Sequence, residues 1–284
     1  MTDLIPAERA SVIRYPSTAN LMIDSADRSS GNLSPWDFQI TKTNSILNGF
    51  FTRVGTTEVT LEWFVRNIKT GYNDTIVVVY GGTPYTVTLI SGFYTVATVL
   101  QAIVASMNTQ LGSNIFSIGT NTAGSLTGLI SNASTFLFQA GQLQSQLRGN
   151  TVVASTFQPI IFPDLRLVRY LDFVSSQLTY NQALKDSSTD SVARDVLCRW
   201  YMAYDDAPAY DQYGYPILMG YTPFVTRRIF NPPKQIRWDP QQPIGNLAFQ
   251  VFDDQNNLFS TIDVATQSSP SNSNFLMTLQ ASEV

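Results

Sequence analysis

Histidine is absent from this 284-residue sequence, and Cys198 is its only cysteine. Without histidine there can be no Ser-His or Cys-His nucleophile pair, no His-ligated zinc and no histidine general base. A single cysteine excludes an intrachain disulfide and a cysteine-rich metal site. We therefore predict a protein that is not an enzyme and that carries no catalytic residues, cofactor or metal.

Charged residues are also scarce. They make up 13% of the chain, against a usual share of roughly 25%. The net charge is -4 and the basic residues are scattered, so we expect no sequence-specific binding of nucleic acid. A surface this poor in charge favours extensive contact with other protein.

Long apolar runs are missing as well. No run reaches the 18 or more residues that a membrane span needs, and no basic segment followed by an apolar core marks a signal peptide. A phosphate-binding glycine loop is also missing, because the Gly81-Gly82 pair precedes a strand-like run and not a helix. We expect synthesis and assembly in a soluble, reducing compartment.

The sequence is rich instead in strand-forming segments, most clearly from 214 to 260. Aromatic and branched runs there are separated by prolines that no helix could cross. Residues 253–257 favour a turn, after which Leu258-Phe259 is predicted to resume a strand as in a hairpin. Strands are predicted from composition and alternation at 36–41, 59–66, 165–174, 196–204, 224–230, 234–238, 246–252 and 275–279.

These runs amount to about eight strands, the number found in a jelly roll. The last run could return to pair near the beginning of the chain. We therefore predict a mainly β protein built as a single antiparallel jelly-roll sandwich from residues 34–71 and 141–284. Residues 141–163 are polar and predict a returning loop.

Residues 72–140 have a different pattern. Two β runs flank Gly81-Gly82, which indicates a tight hairpin. Thr95 is typical of an N-cap, and an apolar stripe from Val96 to Leu111 ends at Gly112, which predicts the one helix of the chain. We predict a small α+β insertion domain over 72–140. The alternative is a helix that covers one end of a single sheet domain.

The first 33 residues contain several breaking residues but also an apolar run at 21–23. They predict an N-terminal arm that becomes ordered against another surface. The alternative is an edge strand on the chain's own domain.

Two acidic pairs, Asp205-Asp206 and Asp253-Asp254, could suggest the paired carboxylates of a glycoside hydrolase. Adjacent residues point in different directions, so we interpret both pairs as turn acids. Calcium binding by Asp205, Asp206 and Asp211 would not follow the EF-hand spacing.

Tyrosines crowd the region from 201 to 221, and a jelly roll has too little interior for all of them. Aromatic residues and arginine are enriched at the centres of protein interfaces. The alternative is that these side chains lie on solvated strand faces or at the rim of the core. The tyrosines of this region are Tyr201, Tyr204, Tyr210, Tyr213, Tyr215 and Tyr221, and the predicted interface residues are Arg199, Tyr201, Tyr204, Tyr213, Tyr215, Arg227, Arg228 and Arg237.

Three pairs of segments resemble a known family. They are LMIDSADR at 21–28 with WDF at 36–38, SQLTYNQ at 176–182 with DVLCR at 195–199, and PKQIRW at 233–238 with FQVFDD at 249–254. Together with the order of elements and the length, these segments resemble the penton (minor capsid) proteins of virophages and polinton-like viruses.

The resemblance implies a single jelly roll, five copies of which close each vertex of an icosahedral shell beside a double-jelly-roll major capsid protein. It implies location in the virion after synthesis in a host cell, and contact with other minor or cement proteins. An insertion facing outward could meet a host receptor. The alternative function is a jelly-roll receptor- or glycan-binding module that stacks sugars on Trp36, Trp63, Trp200 or Trp238.

Overall fold

In the computed structural model of the protein, the described residues form two packed units. A β-sandwich contains the early and late strands, and a smaller α+β unit follows the third strand. The structure describes residues 18–28, 34–41, 51–119, 128–149, 152–157, 159, 162–178, 196–203, 209–237, 245–259 and 274–282.

The sandwich consists of two antiparallel sheets. The first sheet has the order β1 (Thr18–Asp24), β15 (Phe275–Ser282), β3 (Arg53–Trp63) and β12 (Phe224–Ile229), and β13 (Gln235–Arg237) also pairs with β3. The second has the order β11 (Val196–Tyr201), β10 (Tyr170–Val174), β14 (Asn246–Phe252) and β2 (Asp37–Thr41). Because β12 and β13 share one side of β3, each sheet has four strand positions among the described residues. The predicted mainly β jelly roll is confirmed.

Alternation along the strands builds the core between the sheets. In β14, Leu247, Phe249 and Val251 are buried while their neighbours are more exposed, because successive side chains of a strand point to opposite faces. Phe38 of β2 stacks on Phe249 with ring centroids 5.4 Å apart. Phe275 of β15 contacts rings from the facing sheet, so both sheets share one aromatic core.

The second unit has two three-stranded sheets and a long helix. Its first sheet joins β5 (Thr83–Thr88), β4 (Thr75–Tyr80) and β8 (Phe136–Phe138), and its second joins β6 (Phe116–Gly119), β7 (Gly128–Ser131) and β9 (Thr156–Phe157). Gly81 and Gly82 have φ of 57° and 80°, values that glycine adopts at little cost. The predicted tight hairpin is confirmed.

Helix α1 (Val96–Leu111) begins and ends where the sequence predicts. Thr95 accepts a hydrogen bond from the Thr98 amide, and Thr98 bonds back to the Thr95 amide, so the pair forms a capping box. Gly112 ends the helix in the left-handed region. The apolar stripe of the helix packs into the second core, which is separate from the core of the sandwich.

The prediction of a loop over 141–163 was wrong for part of that range. Helix α2 (Gln142–Leu147) buries Leu143 and Leu147, which lie four residues apart on one face. Helix α2 was missed because its two apolar residues are too few to show a helical stripe in the sequence. Strand β9 was missed because it has only two residues. The boundary of the insertion at residue 140 stays a prediction, although the second core also includes Leu143, Leu147, Phe157, Leu165, Tyr215 and Tyr221.

Residues 18–24 and residues 258–259 also differ from the sequence predictions. Residues 18–24 form edge strand β1 on the sandwich, paired with β15 from Thr18↔Ser282 to Asp24↔Leu276. This is the alternative to an arm, while residues 1–17 lie outside the described residues. The turn after β14 forms, but Leu258 makes a single bridge to Phe252 instead of a second strand. Phe259 is buried against Trp36 and Trp63, and packing there replaces strand pairing.

In the part of the chain that the structure describes, neither helix has the length and apolar character required to cross a bilayer.

Candidate functional site

Strand β11 is an edge of the second sheet and carries two of the predicted interface residues. Arg199 lies opposite Asp172 of β10, and its Nε and Nη2 atoms donate to the two carboxylate oxygens over 2.7 and 2.8 Å. The guanidinium also lies 3.9 Å above the ring of Tyr170, an arrangement that favours a cation over an aromatic face. Tyr201 packs edge-on against Tyr170 and is half exposed. Arg199 and Tyr201 thus lie in a fixed position on this edge.

Strand β12 is the neighbouring edge of the first sheet, and its alternation leaves one exposed face. Val225, Arg227 and Ile229 point outward. Arg227 donates from Nη2 to Glu58 Oε2 over 2.6 Å, and this hydrogen bond raises the pKa of the guanidinium. This face therefore carries two exposed branched side chains, Val225 and Ile229, on either side of Arg227.

Two side chains join these edges. Arg228 donates from Nη1 to the Tyr201 carbonyl over 3.2 Å, and Lys234 donates from Nζ to the Val196 carbonyl over 2.7 Å. The predicted residues Arg199, Tyr201, Arg227 and Arg228 therefore lie together on one side of the sandwich. We call this side, formed by β11, β12, β13 and Lys234, the basic flank.

Arg237 and Tyr204 are two further predicted interface residues. The backbone of Arg237 in β13 pairs with Arg53 of β3, which brings it to the same flank. Tyr204 lies outside the described residues.

The remaining tyrosines lie in the second unit. Tyr215 is fully buried in the second core, so it is not carried into any interface proposed below. Tyr213 is partly buried against the same core, with its hydroxyl 3.4 Å from Gln101 Nε2 of α1. Tyr210 is exposed. This tyrosine-rich segment follows β11 in the sequence, but in the structure it turns toward α1.

Asp211 explains that turn. Its carboxylate accepts hydrogen bonds from the amides of Tyr213 and Tyr215 at 2.9 and 3.0 Å. The same carboxylate accepts from the Ala97 amide in the first turn of α1 at 3.2 Å, where unpaired amides favour an acid. Asp211 thus holds the segment onto the helix.

A cluster at the junction of the two units was missed by sequence reasoning. Asp164 accepts hydrogen bonds from Arg166 Nε and Nη2 at 2.8 and 2.9 Å, and Arg169 and Arg148 lie at 3.6 and 3.9 Å. Arg166 also donates to the Met202 carbonyl over 2.6 Å, which ties the cluster to the end of β11. The only sequence signal is one acid with two arginines within five positions.

Charge pairing sets the electrostatics of this junction. Burial acts to raise the pKa of Asp164, but the hydrogen bonds and charge of Arg166 outweigh it, so the pKa lies below its ordinary value. Burial acts to lower the pKa of Arg166, and Asp164 reverses that as well. A polar groove of about 360 Å³ opens beside the cluster, and Asp254, whose pKa is raised by burial, lies on its wall.

The two carboxylates of the Asp253-Asp254 pair have structural partners. Asp253 accepts from the amides of Gln255 and Asn257, as a turn acid does. Asp254 accepts from the Arg169 amide. Among the described residues, no three potential metal ligands come together. Asp205 and Asp206 lie outside the described residues.

The tryptophans considered for sugar stacking are buried where they are described. Trp36, Trp63 and Trp200 are at most 2% exposed, so their faces are covered by the chain's own core. Trp238 lies outside the described residues.

Tyr221 offers a test of the junction between the units. Its hydroxyl accepts from the Leu165 amide at 2.9 Å and donates to the Pro163 carbonyl at 3.3 Å, and the residue is 1% exposed. Tyr221→Phe should lower the free energy of unfolding by about 1–3 kcal/mol, because a buried amide loses its acceptor. Chemical denaturation measures this change. Tyr210→Phe, at an exposed tyrosine, is the control, and equal losses in both variants would contradict the assignment.

Comparison with known proteins adds information at the level of fold. No family model matches the chain, and no curated protein sequence matches it. The sheet order defines the class, a mainly β antiparallel jelly roll, and this fold is like that of a penton protein. The chain is similar to the mavirus penton protein, known from a selenomethionine crystal structure, with a TM-score of 0.51 and 10% identity. The match covers 95% of this chain and 100% of that chain.

Proposed function

We propose that this chain is a viral capsid penton protein, five copies of which close each five-fold vertex of an icosahedral shell. The observation that carries the proposal is the extent of the structural likeness. It runs over the jelly roll and the second unit together, and it leaves no part of the mavirus penton chain uncovered. A jelly roll alone is shared by proteins of many functions, so the match over both units is the stronger support.

The surface of the sandwich supports the same proposal. A ring of five identical subunits needs two different contact surfaces on each subunit. Obligate contacts of this kind typically bury about 2,000 Å² or more. The low charge of the chain and the open, partly apolar edge at β12 suit a surface that becomes covered.

Partners follow from a position at a vertex. The ring meets a double-jelly-roll major capsid protein around its outside, together with other minor or cement proteins. The second unit faces outward, where it can meet a host receptor. In this role the protein is a structural component of the virion and catalyses no reaction.

Mass and imaging test the proposal. Native mass spectrometry of the purified chain should show a species of five copies, and reconstruction of purified particles should place this fold at the five-fold positions. A chain that stays monomeric, is absent from particles and binds a glycan array through one face would contradict it. That result would favour the attachment module instead.

A further inference from the structure

The sandwich has two flanks where both sheets end. The basic flank ends in β11 and β12. The opposite flank ends in β1 and β2, because these strands close the other ends of the two sheets. We call it the acidic flank and include residues 18–28 and 34–41 in it. Among the described residues, no further strand pairs with the outer edge of either flank.

The two flanks carry opposite formal charge. Residues 196–201 and 224–237 contain no acid, and their five bases are Arg199, Arg227, Arg228, Lys234 and Arg237. The acidic flank contains Asp24, Asp27 and Asp37 with a single base, Arg28. Asp172 and Glu58 pair with Arg199 and Arg227 from the adjoining strands, and these pairs keep the two guanidinium groups in place on the flank.

Each flank also has exposed apolar side chains beside its charges. Val225 and Ile229 of β12 are 65% and 63% exposed, and Tyr201 of β11 is 51% exposed. Across the sheet, Met22 of β1 is 82% exposed. Each flank thus combines exposed apolar side chains with charge of one sign, and the two signs are opposite. Two such surfaces are complementary and could form the two sides of one interface.

Charge also decides which flanks can meet. Two copies joined by a two-fold axis would set the basic flank against itself, and like charges across an interface cost free energy. Contact between unlike flanks avoids that cost, and repetition of such a contact generates a ring when its rotation closes.

We propose that the basic flank of one copy binds the acidic flank of the next, with β12 lying along β1 of its neighbour. The proposal rests on the proposed function and names the surfaces by which the ring closes. Val225 and Ile229 pack near Met22, and the bases of β12 face Asp24 and Asp27.

Cysteine cross-linking tests this contact. Met22→Cys and Val225→Cys each place one thiol on an exposed edge position. Burial raises the pKa of the native Cys198 to about 12, so that thiol stays unreactive. A short bis-maleimide is used because it does not require the strict geometry of a disulfide. The readout is denaturing electrophoresis of the cross-linked full-length chain.

The expected pattern is asymmetric. Either single variant alone should stay uncross-linked, and an equimolar mixture should give a dimer with a yield at least about tenfold higher, because the contact raises the effective concentration of the two thiols. The double variant should give a ladder that ends at five copies. Ile90→Cys combined with Val225→Cys is the control, because Ile90 is 84% exposed but lies in the second unit, and it should give no ladder.

The outcomes separate this inference from the proposed function. If native mass spectrometry shows five copies but only the single variants cross-link, or no variant does, the flank assignment is overturned and the penton function stands. If the wild-type chain stays monomeric both alone and with its shell, both are overturned. A ladder from the double variant without one from the control supports the assignment.

Discussion

Phe275→Ala is expected to lower the free energy of unfolding by about 3–5 kcal/mol, the cost of removing a large buried aromatic side chain. The ring lies between the two sheets and is 1% exposed. Its centroid is 4.9 Å from that of Phe173, 5.7 Å from that of Phe38 and 6.0 Å from that of Trp36. Removal of this ring opens a cavity where both sheets meet, and rigid strands on both sides limit its collapse.

Leu276→Ala is the matched control for this prediction. Leu276 is the next residue on the same strand, but its side chain points outward and is half exposed, so its loss should cost less than about 1 kcal/mol. Both variants are measured by denaturant unfolding of the full chain. Similar losses for the two would mean that the sandwich core is not organised around Phe275.

Asp164→Asn is expected to lower the free energy of unfolding by about 1–3 kcal/mol, because it leaves the partly buried guanidinium of Arg166 without its charge partner. Arg166 makes a bidentate pair with Asp164, and the side chains are 20% and 9% exposed. An asparagine keeps the shape of the side chain but can accept at only one oxygen. Because Arg166 also bonds to the Met202 carbonyl, the loss should loosen the junction between the units.

The effect should depend on pH with a defined sign. The pKa of Asp164 is below its ordinary value of 3.8 in the folded protein. A carboxyl of this kind stabilises the fold at pH values above its unfolded pKa, and that contribution is lost as the pH falls through the folded pKa. The difference in stability between wild type and Asp164→Asn should therefore be full near neutral pH and narrow below about pH 4.

Glu58→Gln is the control for Asp164→Asn. It breaks an ion pair of comparable length with Arg227 on the exposed face of β12, where water screens the charges and the change in stability should be small. The free energy of unfolding is measured by denaturation at several pH values. A constant difference between wild type and Asp164→Asn across the acidic range would contradict a role for the charge of Asp164.

The cysteine variants used for cross-linking are not expected to unfold the protein. Met22 and Val225 lie on outer faces, away from the aromatic core and from the Asp164 cluster. Their substitution should therefore leave the stability of the fold nearly unchanged. Loss of cross-linking can then be assigned to the contact between subunits.

Local sequence patterns predicted most of the elements. Alternation located β2, β3 and β14, the Gly-Gly pair located the first hairpin of the second unit, and Thr95 with Gly112 bounded α1. These features depend on residues a few positions apart. The short elements α2 and β9 were missed because they contain too few residues to show a period.

The candidate site was predicted only in part. Arg199, Tyr201, Arg227 and Arg228 were selected by residue type, and the structure places them on one flank. Tyr215 was selected by the same reasoning but lies in the second core, because Asp211 turns its segment toward α1. Residue type indicates what a side chain can contact, and it does not indicate which side of the protein the segment reaches.

By itself the sequence determined that this is a mainly β chain with one long capped helix, low charge and no histidine. Only the tertiary structure decided the register in which β1 pairs with β15, with Thr18 opposite Ser282. It also decided that Asp172 meets Arg199 and that three arginines gather around Asp164. The physical reason is distance along the chain. Periods, caps and turns are set by neighbouring residues, whereas sheet order and flank composition depend on contacts between segments that only the packed core brings together.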